Sequence, residues 1–365
     1  MARIPKPKNT AARPLPKRFR SAASASPDRD ETMKYGFAGN TVQAKVKVAD
    51  GAGRPWDLDT KFQLVGTKIQ RFDGIAKATG RAKYAYDMNL PGLLHARILC
   101  APIAAGTLTE LEISPLDEMK SVKGTHQFKK VGDRILFAGQ SVIAVAAETP
   151  EAAEDGIRAI VATYESAPHV VTIEDAMKEG APQVLQNRPN VGEGQASGVK
   201  EEEIDATLKE AAATVDATYR TQVQTHSALE THGGVAWFQK DASGEEKLTV
   251  WASTQGTFSV LGDLRQRFNL KSSQVEVICE YMGGGFGAKF GADEAIVAAA
   301  ELSKKTGLPV KCMRTRKEEH LATGNRPNSI QHVKAGASKD GKLLCWQVDI
   351  LGTGGSTRAP ARETQ

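Results

Sequence analysis

No stretch constrains this chain more than residues 280–289, Glu-Tyr-Met-Gly-Gly-Gly-Phe-Gly-Ala-Lys, with an apolar β-like run (residues 275–279) before it and a helical pattern after it. Three consecutive glycines and a fourth two places later leave four amides without a Cβ in front of them, so a ligand can touch the backbone directly. Amides converging on one concavity ahead of a helix would hold phosphate or oxo groups without any side chain. A tight turn that only joins strand to helix is the plainer reading of a lone glycine cluster, and the surrounding residues have to decide.

The 365 residues, 40% of them hydrophobic, are enough for a substantial core and two or three domains. No window approaches the ~20 apolar residues of a membrane helix; the longest apolar runs are 142–147 and 295–300. A soluble, cytoplasmic protein is expected. The net charge of +5 would suggest nucleic acid if it were spread over a folded surface. It is concentrated instead: Arg3, Lys6, Lys8, Arg13, Lys17, Arg18 and Arg20 supply seven cations with no acid among them, so the remainder carries −2. Four prolines interrupt that stretch, which reads as a disordered tail, and residues 21–26 are too short and polar for a signal h-region. Cys100, Cys279, Cys312 and Cys345 are far apart and form no Cys-x-x-Cys pair, so no iron-sulfur cluster is expected on this chain.

After a polar, Gly-rich lead-in to residue 60, with one alternating run at 41–48, short apolar runs predict strands at 63–65, 82–86, 93–100, 109–113, 134–137 and 141–147. Thr149 as N-cap and Pro150 at the first position start a helix whose apolar face is Ile157, Ile160, Val161 and Tyr164. The connector 187–203 divides an α+β domain (61–190) from a mixed α/β domain (191–365). The second domain is expected to hold helices at 205–213, 257–268 and 293–305, and strands at 214–222, 247–252, 309–313, 330–334 and 343–351.

Several motifs carry chemistry beside a plainer reading. Gly283-x-Gly285-x-x-Ala288 fits a permissive dinucleotide fingerprint, but Arg314 and Arg316 stand where a ribose-binding acid would be expected and would at best suit a 2′-phosphate. Lys289 is followed by Phe290 rather than Ser or Thr, which excludes a phosphate loop. His226, Glu230 and His232 could share a helical or strand face as metal ligands; buried, hydrogen-bonded polar groups explain them more simply. Gln255 sits between a strand end and a helix start and could donate into a pocket or cap the helix, and spacing favours the cap. Arg326, held between Gly324 and Pro327, could meet a carboxylate or phosphate.

Residues 72–84 and 146–155, with Thr225-His-Ser-Ala-Leu-Glu-Thr-His-Gly-Gly-Val-Ala236, Ala252-Ser-Thr-Gln255, Gly283-Gly-Gly-Phe-Gly-Ala-Lys289 and Thr323-Gly-Asn-Arg326 in this order, resemble the molybdopterin-binding large subunit of the xanthine dehydrogenase and aldehyde oxidase family. The resemblance covers about residues 65–355 and implies an α/β hammerhead domain followed by the first part of a molybdopterin-binding domain. It implies oxidative hydroxylation with water-derived oxygen on molybdenum-molybdopterin, as such or as its cytosine dinucleotide, with electrons leaving through Fe-S and FAD on partner subunits. By position, Gln255 would hydrogen-bond the molybdenum oxo group, and Gly283, Gly284, Gly285, Phe286 and Gly287 would line the cofactor. Arg326 would face substrate charge, His226 and Glu230 would support from behind, and no side chain would ligate the metal. Phe290 replaces the glutamate of purine-oxidising members, which points to an aldehyde or aromatic heterocycle. The family's general-base glutamate lies beyond this sequence, so a split or partial subunit, completed by a second chain, is expected. A non-catalytic assembly fragment and a dinucleotide-binding protein are the alternatives.

Overall fold

A computed structural model describes residues 29–37, 40–48, 61–241 and 243–354. The basic tail and the residues after 354 lie outside the described residues. Two compact units are present, Met1–Ile75 and Ala76–Gln365.

In the first unit, β1 (Arg29–Phe37) and β2 (Asn40–Val48) pair antiparallel from Arg29↔Val48 to Phe37↔Asn40. The alternation at 41–48 predicts β2; Met33, Tyr35 and Phe37 alternate in the same way in β1, which the sequence reading did not single out. Residues 63–65 form a turn rather than a strand. A one-turn helix, α1 (Gly74–Ala78), follows.

In the second unit, residues 82–86 likewise form no strand, and a 3₁₀ turn spans Ala85–Asp87. Then come β3 (Leu94–Cys100), β4 (Gly106–Glu112), β5 (Val122–Gln127), β6 (Arg134–Ile135) and β7 (Ser141–Ala147). Thr149 Oγ1 accepts from Ala152 N at 3.1 Å and opens α2 (Pro150–Ala159) as its sequence requires. Val161 and Tyr164 do not continue that helix. They lie in β8 (Val161–Ser166), where pairing with β4 wins over helical periodicity. After α3 (Ile173–Ala176), α4 (Glu201–Glu210) starts earlier than apolar spacing suggests, because Glu201, Glu202 and Glu203 complement the positive helix end.

The rest is β9 (Ala213–Thr221), β10 (Gly233–Lys240), β11 (Glu246–Ala252), α5 (Thr257–Phe268), β12 (Val275–Ile278), α6 (Glu294–Thr306), β13 (Val310–Met313), α7 (Arg316–Ala322), β14 (Ser329–Ala337) and β15 (Leu343–Gly352). Seven strands form one mixed sheet in the order β12-β11-β10-β13-β3-β7-β5, which draws on both sides of the connector at 187–203. β7 is buried along its whole length. Its Ala144 and Ala146 enter the core beneath α6, while Ile143 and Val145 join Leu108, Ile135 and Ile160 on the opposite side. A continuous apolar run is what a strand covered on both faces needs. Ala295, Ala298 and Ala299 of α6 let that helix lie close to Ala236, Val250 and Val310 of the sheet. Two separate antiparallel sheets, β6-β4-β8 and β15-β14-β9, complete the unit.

Candidate functional site

The glycine loop lies between β12 and α6, but it does not open α6. Asp293 intervenes and caps the helix itself, accepting from Ala295 N at 2.8 Å. The helix end is therefore satisfied by a side chain, and the anion-binding capacity of the loop rests on its own amides.

Those amides divide into two sets. Gly283 N donates to Glu230 Oε2 at 2.8 Å, and Gly287 N and Lys289 N donate to Gln255 Oε1 at 2.9 and 3.3 Å. Ala288 N closes a turn onto Gly285 O. Gly284, Gly285 and Phe286 lie between them, and their N–H groups have no acceptor among the described residues. Backbone φ is +103° at Gly284, +53° at Phe286 and +95° at Gly287. A run of left-handed and right-handed residues turns successive N–H groups into one concavity. Phe286 adopts this conformation without the freedom of glycine, at a cost of about 1 kcal/mol. Close approach also requires glycine: a Cβ at Gly285 would lie 2.5 Å from the Gln255 carboxamide, and one at Gly283 would overlap Glu230.

Gln255 does not cap α5; Gly256 is the N-cap and makes no side-chain capping bond. Its backbone is fixed by donation from Gln255 N to Lys289 O at 2.7 Å, and its carboxamide oxygen takes the two loop amides. That fixes the amide orientation and leaves Nε2 as an exposed donor beside the loop.

Behind the loop the groups are buried. Lys289 is 2% exposed and donates from Nζ to Glu230 O at 2.6 Å and Ser253 Oγ at 2.7 Å. Burial lowers its pKa, with Glu230 and Glu319 opposing. Ser253 in turn donates to Glu230 Oε2 at 2.9 Å, and Glu230 Oε1 accepts from Tyr86 N at 3.3 Å. His232 places Nδ1 3.0 Å from both oxygens of Glu319, and Nε2 3.2 Å from Ala288 O. Arg314 is buried against Asp293 at 3.0 Å and Glu294 at 3.4 Å, so it is not available for a nucleotide phosphate.

The His226–Glu230–His232 stretch is neither helix nor strand. Arg316 holds the carbonyls of Ala228 and Leu229, and His320 Nε2 meets Ser227 Oγ at 3.0 Å. Glu230 and His232 join the network behind the loop, whereas His226 has a buried Nδ1 without a partner among the described residues. No group of three or more His, Cys, Asp or Glu among the described residues is arranged to hold a metal. Arg326 is exposed and is tied by its backbone to Gln224, two residues before His226, with N–H donation to Gln224 O at 2.8 Å. Phe286 and Phe290 are 68% and 57% exposed. Lys289 and Glu319 are the site residues that sequence spacing did not single out for this role; Glu230 and His232 are the buried, hydrogen-bonded polar groups that their spacing suggested. The Thr315-x-x-Glu318 capping box, which positions α7 and hence Glu319, was a readable signal.

The arrangement suits an anionic, oxo-bearing group: three adjacent donors without acceptors among the described residues, and one fixed amide donor beside them. No described helix is long and apolar enough to cross a membrane.

Residues 186–364 match the model of the molybdopterin cofactor-binding domain. The nicotinate dehydrogenase large molybdopterin subunit of Eubacterium barkeri is 28% identical over 81% of this chain and 72% of its own length. The aldehyde oxidoreductase molybdenum-binding subunit PaoC of Escherichia coli K12 is 29% identical over 78% of this chain but 39% of its own. Among solved structures, CO dehydrogenase from Oligotropha carboxidovorans shares the fold with a TM-score of 0.69 at 24% identity, over 78% of this chain and 39% of the other. The aldehyde oxidoreductase of Desulfovibrio gigas gives 0.67 at 22%, over 79% and 34%. The glycine loop and Gln255 thus lie within the stretch that matches the molybdopterin cofactor-binding domain, in a chain homologous to proteins named as molybdenum-binding subunits of xanthine dehydrogenase, aldehyde oxidoreductase and nicotinate dehydrogenase.

Proposed function

We propose that this chain forms one wall of the cofactor pocket of a molybdenum hydroxylase that acts on an aldehyde or N-heterocycle. The observation that carries this is the coupling of Gln255 to the glycine loop, which leaves Gln255 Nε2 and the amides of Gly284, Gly285 and Phe286 as unused donors side by side. These residues would hold molybdopterin, free or as its cytosine dinucleotide; when bound, the group supplies two-electron oxidation with oxygen derived from water.

In this reading Gln255 donates to the oxo group, and Gly283 and Gly287 fix the two ends of the cradle. Glu230 keeps the loop in register, and His226, with its unpartnered Nδ1, lies on the same supporting segment. Arg326 stabilises charge on substrate, and Phe290 presents an apolar wall where a purine would want a carboxylate. The region 61–190 is assigned to the α/β hammerhead. Fe-S and FAD subunits take the electrons, and the complex is cytoplasmic. The chain spans 39% of the Escherichia coli subunit, and the general base and remaining wall are assigned to chain outside these 365 residues.

The test is to purify the chain with the proteins encoded beside it and assay molybdenum and pterin. A complete complex carrying neither would sink the reading. Turnover by the chain alone would contradict the need for partners.

A further inference from the structure

We propose that one face of the β15-β14-β9 sheet is the surface on which the complementary part of the molybdenum-binding subunit docks, supplied by a second polypeptide. The pairing register defines that face. Val333 stands between Ala217 and Val348, Ala335 between Val215 and Trp346, and Gln331 between Tyr219 and Ile350. Directly paired residues project from the same side of a sheet. Eight of these nine residues are aliphatic or aromatic, and none is charged.

The face is open. Trp346 is 63%, Ile350 60% and Tyr219 53% exposed, and Val215 and Val348 are exposed beside them. This chain puts its own cover on the other side. There α4 lies with Glu201 3.2 Å and Asp205 3.5 Å from Lys334 Nζ, and a Cβ at Gly336 would meet Leu208 at 3.2 Å. His332, also on that side, pairs with Asp216 at 2.7 Å. The sheet is thus the reverse of a free-standing one, with a largely polar side covered and an apolar side bare. Monomers rarely leave a contiguous apolar patch of this kind in water.

Size and position choose the occupant. Three strands about 4.8 Å apart and roughly 30 Å long make a face on the order of 400 Å². A second copy seated on this face alone would bury half of the about 800 Å² per partner that a stable interface needs. The occupant must extend beyond the sheet, and the same unit leaves another apolar surface open at Phe286 and Phe290 on the front of the glycine loop. The chain connects the two: Thr221, Ser329 and Gly352 end the sheet side by side, and three residues from Thr221 and Ser329 lies the Gln224–Arg326 bridge that leads to the segment carrying Glu230. Length agrees. The chain spans 72% of the Eubacterium barkeri subunit and 39% of PaoC, so these relatives hold further sequence from which such a layer is built. The identity of the partner rests on the function proposed above; the docking face does not.

The test is hydroxyl-radical footprinting of the full chain alone and in the complex purified with the proteins encoded beside it, each chain identified by mass. Trp346 and Ile350 should be modified in the isolated chain and about tenfold less in the complex, and the bound polypeptide should align with the part of PaoC that this chain does not match. Trp346→Glu and Ile350→Glu should fold as the unsubstituted chain does, since both side chains are exposed, yet lower recovery of the partner about tenfold by placing an unpaired charge in the interface. Thr218→Glu, on the other side of the sheet, should leave recovery unchanged. Equal modification in both states, a complex without such a polypeptide, or full recovery with both glutamate variants overturns the inference. So does protection of Trp346 in the isolated chain, which gives the face to a second copy if it rises with concentration and to another segment of this chain if it does not. A complex that protects Trp346 but holds neither molybdenum nor pterin would sink the cofactor reading and leave the docking face standing.

Discussion

The two sides of the glycine loop are built on opposite principles. Behind it, Lys289, Glu230, Ser253, His232 and Glu319 are buried and hydrogen-bonded to one another or to the loop. In front, Gln255 Nε2, three successive amides, Phe286 and Phe290 are exposed or without partners among the described residues. The difference separates what holds the loop from what the loop is for. A turn that merely joined strand to helix would need neither the buried lysine nor the unused donors.

The largest expected effect comes from the back. Lys289→Met removes the cation bridged to buried Glu230 and should cost about 3–5 kcal/mol of unfolding free energy in a denaturant titration. A loss below ~1 kcal/mol would show that the buried network does not hold the loop.

Acid probes the same side. Burial pushes Asp293 and Glu319 up, but Arg314 outweighs it at the first and His232 at the second, so both carboxyls lie below their usual range. The folded state then binds fewer protons than the unfolded chain. Stability from these groups is full above the ordinary carboxylate pKa of about 4 and is lost as pH falls through the lower folded values. Denaturation between pH 6 and about 3 should steepen below ~4, and Glu319→Gln should flatten that limb. An unchanged acid limb in that variant would contradict the lowered Glu319 carboxyl.

Gly285→Ala tests the seam between the two sides. Its Cβ would fall 2.5 Å from the Gln255 carboxamide, so about 1–3 kcal/mol of overpacking is expected, together with loss of bound pterin. Full stability and pterin content would show that the close approach is not needed. The smallest effects belong to the front: Phe290→Ala and Arg326→Ala should leave the melting temperature nearly unchanged, within about 0.5 kcal/mol, since both side chains are exposed. A large thermal shift in either would move that residue to the structural side.

Much of the front was legible in the sequence. Periodicity located α5 without error and α6 to within a residue, and the ordered motifs brought out Gln255 and the glycines that it meets. Of the back, Glu230 and His232 were legible as buried polar groups but their partners were not, because the bonds join distant segments: His232 and Glu319 are 87 residues apart, Lys289 and Glu230 are 59 apart, and no local period records such pairing. β10 escaped for a related reason, as Gly233 and Gly234 look like a turn until Cys312 and Trp251 are seen packed too close on either side for any side chain. The strands expected at 63–65 and 82–86 fail because short apolar runs do not fix structure without a partner strand.

The most direct measurement is amide hydrogen exchange at the loop, with and without molybdopterin. The account predicts that Gly283, Gly287 and Lys289 exchange slowly in both states, because their amides already donate to Glu230 and Gln255, and that Gly284, Gly285 and Phe286 exchange fast until the cofactor protects them. Uniform exchange across the loop, or protection that spares those three residues, would contradict it.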